Sequence, residues 1–315
     1  MNNLPINSPL QSISHPLCTK HGIKLSIKRD DLIHPTLSGN KWRKLKFTLA
    51  HAQDNEYQQL VSFGGAYSNH IHALAFAGKL HGFKTHGIIR GEYDPQNPTI
   101  VDAKSAGMTL DFISRAQYRL RYSEQYLAEI QSRFSKALII PEGGTNQFAL
   151  AGVAEIIDEI QSDNVDYICT PCGSGGTTAG LLSHHNDINV VSVPVLKNAE
   201  YLQNEIATLV GMPLSKLKLQ FIQGYHFGGY GKTTPQLLEF ITQFFNHSRI
   251  MLEPIYSGKM VYAIFDLIAQ GHFPQGSHVV LLHTGGLQGL NGLIQRKKLP
   301  EQWLGWQRHE KPANS

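Results

Sequence analysis

Four times along this chain a short β-branched run ends in a glycine turn and then a helix start bearing Ser, Thr or Asn, a pattern few architectures accept. Val61-Ser62-Phe63 runs into Gly64-Gly65-Ala66-Tyr67-Ser68-Asn69, and Leu138-Ile139-Ile140 into Pro141-Glu142-Gly143-Gly144-Thr145-Asn146. Tyr167-Ile168-Cys169 runs through Pro171 and Cys172 into Gly173-Ser174-Gly175-Gly176-Thr177-Thr178, and Val280-Leu281-Leu282 into His283-Thr284-Gly285-Gly286. Strand, glycine turn and helix in that order require α/β folding with parallel sheets. The pattern predicts strands at 24–28, 60–63, 85–89, 109–113, 137–140, 166–169, 190–194, 217–222 and 279–283. Between them, 68–81 repeats Ile71, Leu74, Ala77 and Leu80, and 146–161 sets Val153, Ile156, Ile157 and Ile160 on one side, both at helical spacing. In such sheets the ligand crevice lies at the carboxyl ends of the strands. Glycine loops gathered there imply an anionic ligand approached closely by backbone N–H groups.

That anion is small. A net charge of +4 over 315 residues leaves no basic arm or stripe, so nucleic acid is not an expected partner. Three cysteines make no disulfide framework, the start from Met1 to Pro9 lacks a signal-peptide pattern, and no apolar run reaches the roughly 18 residues of a membrane span. The expectation is a soluble cytoplasmic protein with a polar, frayed tail at 308–315. The loop from Gly173 to Thr178 has the make-up of a phosphate cradle, its glycines turning N–H groups toward oxygen and the following helix adding its positive end. A dinucleotide fingerprint fails because position 178 is threonine. A nucleotide P-loop ending in Gly231-Lys232-Thr233 fails because its first glycine would fall on His226. Cys169-x-x-Cys172 has no second cysteine pair, and His70, His72, His184 and His185 lack carboxylates at a completing spacing, so no metal is expected.

Lys41 follows the turn Ser38-Gly39-Asn40 and opens a helical run from Trp42 to Phe47. Near an anion site and a helix N-terminus, positive potential and desolvation are expected to lower its pKa, favouring the neutral amine that forms an imine. Gly39-Asn40-Lys41-Trp42-Arg43-Lys44-Leu45 resembles the cofactor-lysine motif of the 1-aminocyclopropane-1-carboxylate deaminase and D-cysteine desulfhydrase family. The resemblance continues through Arg29-Asp30-Asp31-Leu32, Ser68-Asn69-His70, Pro141-Glu142-Gly143-Gly144, Gly173-Ser174-Gly175-Gly176-Thr177, Glu253-Pro254-Ile255-Tyr256-Ser257-Gly258-Lys259-Met260 and His283-Thr284-Gly285-Gly286, in the family's order over residues 24–292.

The resemblance implies a two-domain, fold-type II pyridoxal-phosphate enzyme, tryptophan synthase beta-like. Each domain would be a mostly parallel twisted sheet flanked by helices, with the cofactor in the cleft between them. Residues 1–43 with 156–315 would form the larger domain, 44–155 an inserted smaller one, and the enzyme would be a homodimer. Lys41 would carry pyridoxal 5′-phosphate as an imine and then act as base on the substrate's α-proton. Gly173, Ser174, Gly175, Gly176 and Thr177 would hold the phosphate and Asn69 the ring oxygen. Tyr256 would stack on the ring, and Thr284 would meet its nitrogen. Ser68, Asn69 and His70 would bind the substrate carboxylate, with Ser257 also facing substrate. Ser68 is equally suited to be a helix N-cap. Tyr230 would be an acid or base above the substrate, with Tyr225 as fallback because the Gly228-Gly229-Tyr230-Gly231 loop lacks the family's usual proline.

Two reactions share this machinery. A desulfhydrase expels sulfide by β-elimination, and the product hydrolyses to pyruvate and ammonia. A deaminase opens a cyclopropane ring to give 2-oxobutanoate and ammonia. The deaminases carry Glu after the stacking tyrosine and Leu before the last Gly-Gly, whereas this chain has Ser257 and Thr284. That pattern favours action on a small amino acid as D-cysteine desulfhydrase, with the deaminase as alternative. A catalytically silent cofactor-binding protein is the reading from another class.

Overall fold

Side-chain alternation in the strands sorts this chain into two sheets with distinct apolar faces. The computed structural model describes residues 7–37, 39–184 and 186–309. Its strands are β1 (Leu10–Ile13), β2 (Lys24–Lys28), β3 (Gln59–Gly65), β4 (Lys84–Arg90), β5 (Thr109–Ile113), β6 (Ala137–Ile140), β7 (Tyr167–Cys172), β8 (Asn189–Pro194), β9 (Leu219–Phe221) and β10 (His278–Leu282). One sheet has the order β1-β2-β10-β7-β8-β9, the other β5-β4-β3-β6. Every pairing is parallel except β1 with β2. Among the described residues no helix is long and apolar enough to cross a membrane.

Each face of the six-stranded sheet has its own core. Leu25, Ile27, Val279 and Leu281 pack with Leu237 and Ile241 of the helix Pro235–Ser248 and with Met260 and Ile264 of the helix Ser257–Ala269. On the opposite face Ile168, Val190, Val280 and Leu282 meet Val153, Ile156, Ile157 and Ile160 of the helix Gln147–Ile160. The odd–even split of β10 follows from the period of a strand buried on both sides. The four-stranded sheet is built alike. Leu60, Ile89 and Ile140 face Leu45 and Leu49 of the helix Asn40–Asp54 and Ile71 and Leu74 of the helix Asn69–His81. Val61, Phe63 and Ile88 face Ile130 of the helix Glu124–Arg133.

The structure departs from the sequence reading in several places, among them β7, which runs on to Cys172 rather than ending at 169. Strand β1 escaped notice because Leu10-Gln11-Ser12-Ile13 is short and polar at its centre, and its backbone pairing to β2 supplies what its side chains do not. Strand β9 covers Leu219–Phe221 rather than 217–222. Arg308 and His309 complete the helix Gln302–His309, so only 310–315 of the expected frayed tail lies outside the described residues, as do Ser38 and His185. The divisions expected at 43/44 and 155/156 both fall inside continuous helices, Asn40–Asp54 and Gln147–Ile160. Arg43 ties these two helices together through Glu159 at 2.5 Å.

Candidate functional site

The turn before Lys41 has room for glycine alone at its tightest point. Gly39 has φ +69°, and a Cβ there would stand 1.9 Å from the carbonyl oxygen of Thr284. Asn40 N donates to that same oxygen at 3.3 Å, and Asn40 Nδ2 donates to Thr177 Oγ1 at 2.8 Å. The helix carrying Lys41 is thus stitched at its first residue to the loops after β10 and β7. Below it, Arg43 bonds Asp30 at 2.8 Å, and both side chains are fully buried. Lys41 itself is half-buried, and desolvation pushes its amine down to about 8. Burial first, and repulsion by Lys41 second, in turn lower the pKa values of Lys44 and His70.

Lys44, to which the sequence reading gave no role, lies at the centre of the glycine loops. Its Nζ donates to Gly143 O at 3.2 Å and to Thr145 Oγ1 at 2.9 Å, and Thr145 Oγ1 lies 3.1 Å from Ser174 Oγ. A Cβ at Gly176 would stand 2.6 Å from Lys44 Nζ, so the glycine is what lets the loop backbone meet the ammonium group. Among the described residues no carboxylate pairs with Lys44, and burial together with repulsion by Lys41 holds its pKa well below the usual lysine range. A buried amine without a counter-charge, facing a glycine loop and the start of the helix Gly176–Ser183, suits a phosphate dianion, which would favour its charged form. The residues present therefore fit the phosphate of the cofactor implied above. Cys169 and Cys172 are buried under this loop, and desolvation pushes both thiols up, which leaves them protonated and inert.

The β3 loop brings the expected carboxylate-binding residues together. Ser68 Oγ accepts from Ile71 N at 3.3 Å, the N-cap bond, and Asn69 and His70 open the helix with first-turn N–H groups that have no intrahelical acceptor. Asn69 Oδ1 accepts from Gln288 Nε2 at 3.0 Å, and a Cβ at Gly286 would stand 2.8 Å from Asn69 Nδ2, so this loop also touches the turn after β10. His70 takes a different part from the one expected. Ser62 Oγ donates to Ile140 O at 2.7 Å, so at 2.8 Å it accepts from His70 Nε2–H. That assigns the proton to Nε2 and leaves Nδ1, buried and unpartnered, as an acceptor. Burial and the two lysines keep the ring neutral. Its side chain cannot donate to a carboxylate from Nδ1; its backbone N–H can.

Tyr256 flanks the phosphate loop, its Cε1 3.0 Å from where a Cβ on Gly173 would be. Its hydroxyl donates to Tyr230 Oη at 3.2 Å, and the rings stand edge to face at 5.9 Å. Tyr225 donates instead to Asp266 at 2.6 Å, which leaves Tyr230 as the tyrosine of that loop at Tyr256. The buried Thr284 offers a hydroxyl with no partner among the described residues. Ser257 is a correction. It is fully buried, its hydroxyl donates to Glu253 Oε1 at 3.0 Å, and it accepts from Glu253 N, so it braces a turn rather than facing substrate. Glu253, also unassigned from sequence, gathers the N–H groups of Ile255, Tyr256 and Ser257 on its buried carboxylate and so sets the angle of Tyr256.

Lys259 holds the other tyrosine. Its Nζ donates to the carbonyls of His226 at 2.8 Å and Gly229 at 2.9 Å, just before Tyr230. Lys259→Met is expected to free this loop and lower kcat by about 10-fold with little change in cofactor affinity, the loss of two charge-assisted hydrogen bonds at one remove from the site. Equal kcat in the two proteins would show that the loop needs no such clamp. Of the histidines considered for metal, His72 meets Asp102 at 3.3 Å, His184 meets Asp158 at 2.8 Å and His185 lies outside the described residues. Among the described residues no cluster of His, Cys, Asp or Glu is arranged to hold a metal ion.

The chain is 28% identical over 304 residues to a putative 1-aminocyclopropane-1-carboxylate deaminase of Pyrococcus furiosus, covering 91% of each chain. It is 29% identical to the bifunctional D-cysteine desulfhydrase/1-aminocyclopropane-1-carboxylate deaminase of Arabidopsis thaliana, covering 90% of this chain and 77% of that one. It is 26% identical to the D-cysteine desulfhydrase of Yersinia enterocolitica, covering 90% and 92%. A crystal structure of an ACC deaminase homologue superposes with a TM-score of 0.81 at 27% identity, covering 96% of this chain and 94% of the other. The family model of pyridoxal-phosphate dependent enzymes matches residues 4–285, and the chain belongs to that family.

Proposed function

We propose that this enzyme eliminates a β-substituent from a small D-amino acid and acts as a D-cysteine desulfhydrase, yielding pyruvate, sulfide and ammonia. The observation that carries this reading is the absence of a free carboxylate where the deaminases have one. Position 257 is serine, the nearby Glu253 is occupied by three N–H groups and a hydroxyl, and Thr284 offers only a hydroxyl. Such surroundings suit loss of a good leaving group better than opening of a three-membered ring.

Bound in the cleft, pyridoxal phosphate supplies an electron sink for negative charge at the substrate's Cα. The protein does the rest. Gly173 to Thr177 and Lys44 would hold the phosphate, Asn69 would hydrogen-bond the ring oxygen, and Tyr256, angled by Glu253, would pack against the ring. Ser68 and the N–H groups of Asn69 and His70 orient the substrate carboxylate. Lys41 Nζ, with a pKa brought down to about 8, takes the α-proton. The Tyr256–Tyr230 hydroxyl pair is placed to pass a proton to the departing group. Within this proposal the four-stranded sheet is the core of the inserted domain, and the assembly is a homodimer in the cytoplasm.

Sulfide release from D-cysteine, set against 2-oxobutanoate release from 1-aminocyclopropane-1-carboxylate, tests the reading. Sulfide is expected to form at least about 10-fold faster, a difference of roughly 1.4 kcal/mol in the barrier. Faster formation of 2-oxobutanoate would make the enzyme a deaminase. No turnover of either, with cofactor loaded, would favour the silent binding protein.

A further inference from the structure

The turn after β10 and the helix Gly289–Gln295 that follows it lie along the β3 loop, which carries Ser68 and Asn69. Tyr67 lays its ring on Gly292, where a Cβ would stand 2.6 Å from the ring's Cδ1. The Arg296 guanidinium lies 3.9 Å from the centroid of the same ring and is itself tethered, its Nε donating to Gly292 O at 2.8 Å. From the other side the buried Asn97 donates to Ala66 O at 3.0 Å. The loop is thus fixed at Ala66 and Tyr67, just before its polar residues begin. Two residues on, Asn69 Oδ1 accepts from Gln288 Nε2 at 3.0 Å, a bond that has no free chain to order.

An amide side chain has ends of opposite sense, and a half-turn about its last bond exchanges them. Because Gln288 donates, Asn69 gives its oxygen to Gln288 and turns its nitrogen the other way. There a Cβ on Gly286 would stand 2.8 Å from Asn69 Nδ2. Gly286 ends the turn whose Thr284 carbonyl abuts Gly39, two residues before Lys41, so the nitrogen is turned to the side where the cofactor lysine's helix begins. Among the described residues Asn69 Nδ2 has no acceptor. A ring oxygen that carries negative charge can only accept, so only the nitrogen end of the amide can serve it.

We propose that Gln288 is a positioning residue for the cofactor, which by holding the oxygen of Asn69 presents the amide nitrogen to the cofactor's ring oxygen. The proposal rests on Asn69 as the partner of that oxygen and names the residue that decides which end of the amide faces it. Calorimetric titration of the cofactor-free protein with pyridoxal phosphate, and with its analogue lacking the ring hydroxyl, gives a ratio of two affinities. Asn69→Ala is expected to lower that ratio by about 10-fold, the scale of one hydrogen bond to a charged group. Gln288→Glu, whose carboxylate can only accept, should turn the amide round and lower the ratio as much. Gln288→Met, which leaves the amide free to turn, should lower it by less. With Asn69 already replaced by alanine, Gln288→Glu should lower it no further. An unchanged ratio in Gln288→Glu overturns the proposal. So does a loss that persists in the Asn69→Ala background, which would be charge repulsion rather than orientation, and so does an equal loss of both ligands, which would make Gln288 a residue of the fold alone. An unchanged ratio in Asn69→Ala removes the part given to Asn69 and the proposal with it. Sulfide release from D-cysteine by the wild-type enzyme is measured separately and decides the reaction whichever way the ratio falls.

Discussion

Lys41→Ala is expected to lower turnover by about 10³-fold or more, the scale of losing a positioned general base. It should also remove the site at which borohydride fixes the cofactor to the chain. In the wild-type protein, reduction followed by peptide mapping should find the pyridoxyl group on Lys41 and on no other lysine. Lys44 is the informative competitor, being buried three residues on and within electrostatic reach. A label on Lys44, or a Lys41→Ala protein that keeps more than about a tenth of its activity, would overturn the assignment. The same amine leaves a mark on stability. Its pKa is about 8 in the folded protein against an ordinary 10.5. Between those values the unfolded chain binds more protons than the folded one, so the cofactor-free protein should gain stability as pH rises from about 8 to about 10.5. Lys41→Ala should lose its share of that rise, which thermal melts across the range would show.

The positions legible in the sequence were those where the backbone constrains residue choice. Gly39 can be read because nothing larger fits 1.9 Å from a carbonyl oxygen, and Gly176 because a Cβ would strike Lys44. Ser68 and Asn146 can be read as helix starts because their side chains accept from Ile71 N and Ala149 N. The strands with β-branched runs appeared within about three residues of their expected ends, whereas β1, held by backbone pairing to β2, left almost no trace in its side chains. The site was less legible where its effect comes from burial. Lys44 looks like any lysine of an amphipathic helix until the loops after β6 and β7 close over it. Ser257 looked like a group facing substrate because a motif records neighbours in sequence, and its partner is the carboxylate four residues earlier. The proton on His70 depends on where Ser62 sends its own, a contact across the sheet that no local pattern encodes.

Lys44→Met is expected to move two properties in opposite directions. The amine is buried with no carboxylate beside it and a second lysine nearby, and holding it there, charged or stripped of its proton, costs folding free energy in the cofactor-free protein. Methionine fills most of the same volume without the charge. The hydrogen bonds to Gly143 O and Thr145 Oγ1 are lost, but Thr145 retains Ser174 as a partner. The cofactor-free variant should therefore melt higher than wild type by a few degrees, about 2–4 °C for each kcal/mol regained in a protein approaching this size. Cofactor affinity should fall by about 10- to 100-fold, the scale of about 1.5–3 kcal/mol for a hydrogen bond to a charged group. An ordinary core residue would lose both stability and affinity together. A surface-type phosphate contact would lose affinity without any gain in the melting temperature. Only a cation kept buried for its ligand gives the crossed result, and a Lys44→Met protein that melts lower without cofactor while binding it as tightly as before would remove Lys44 from the phosphate site.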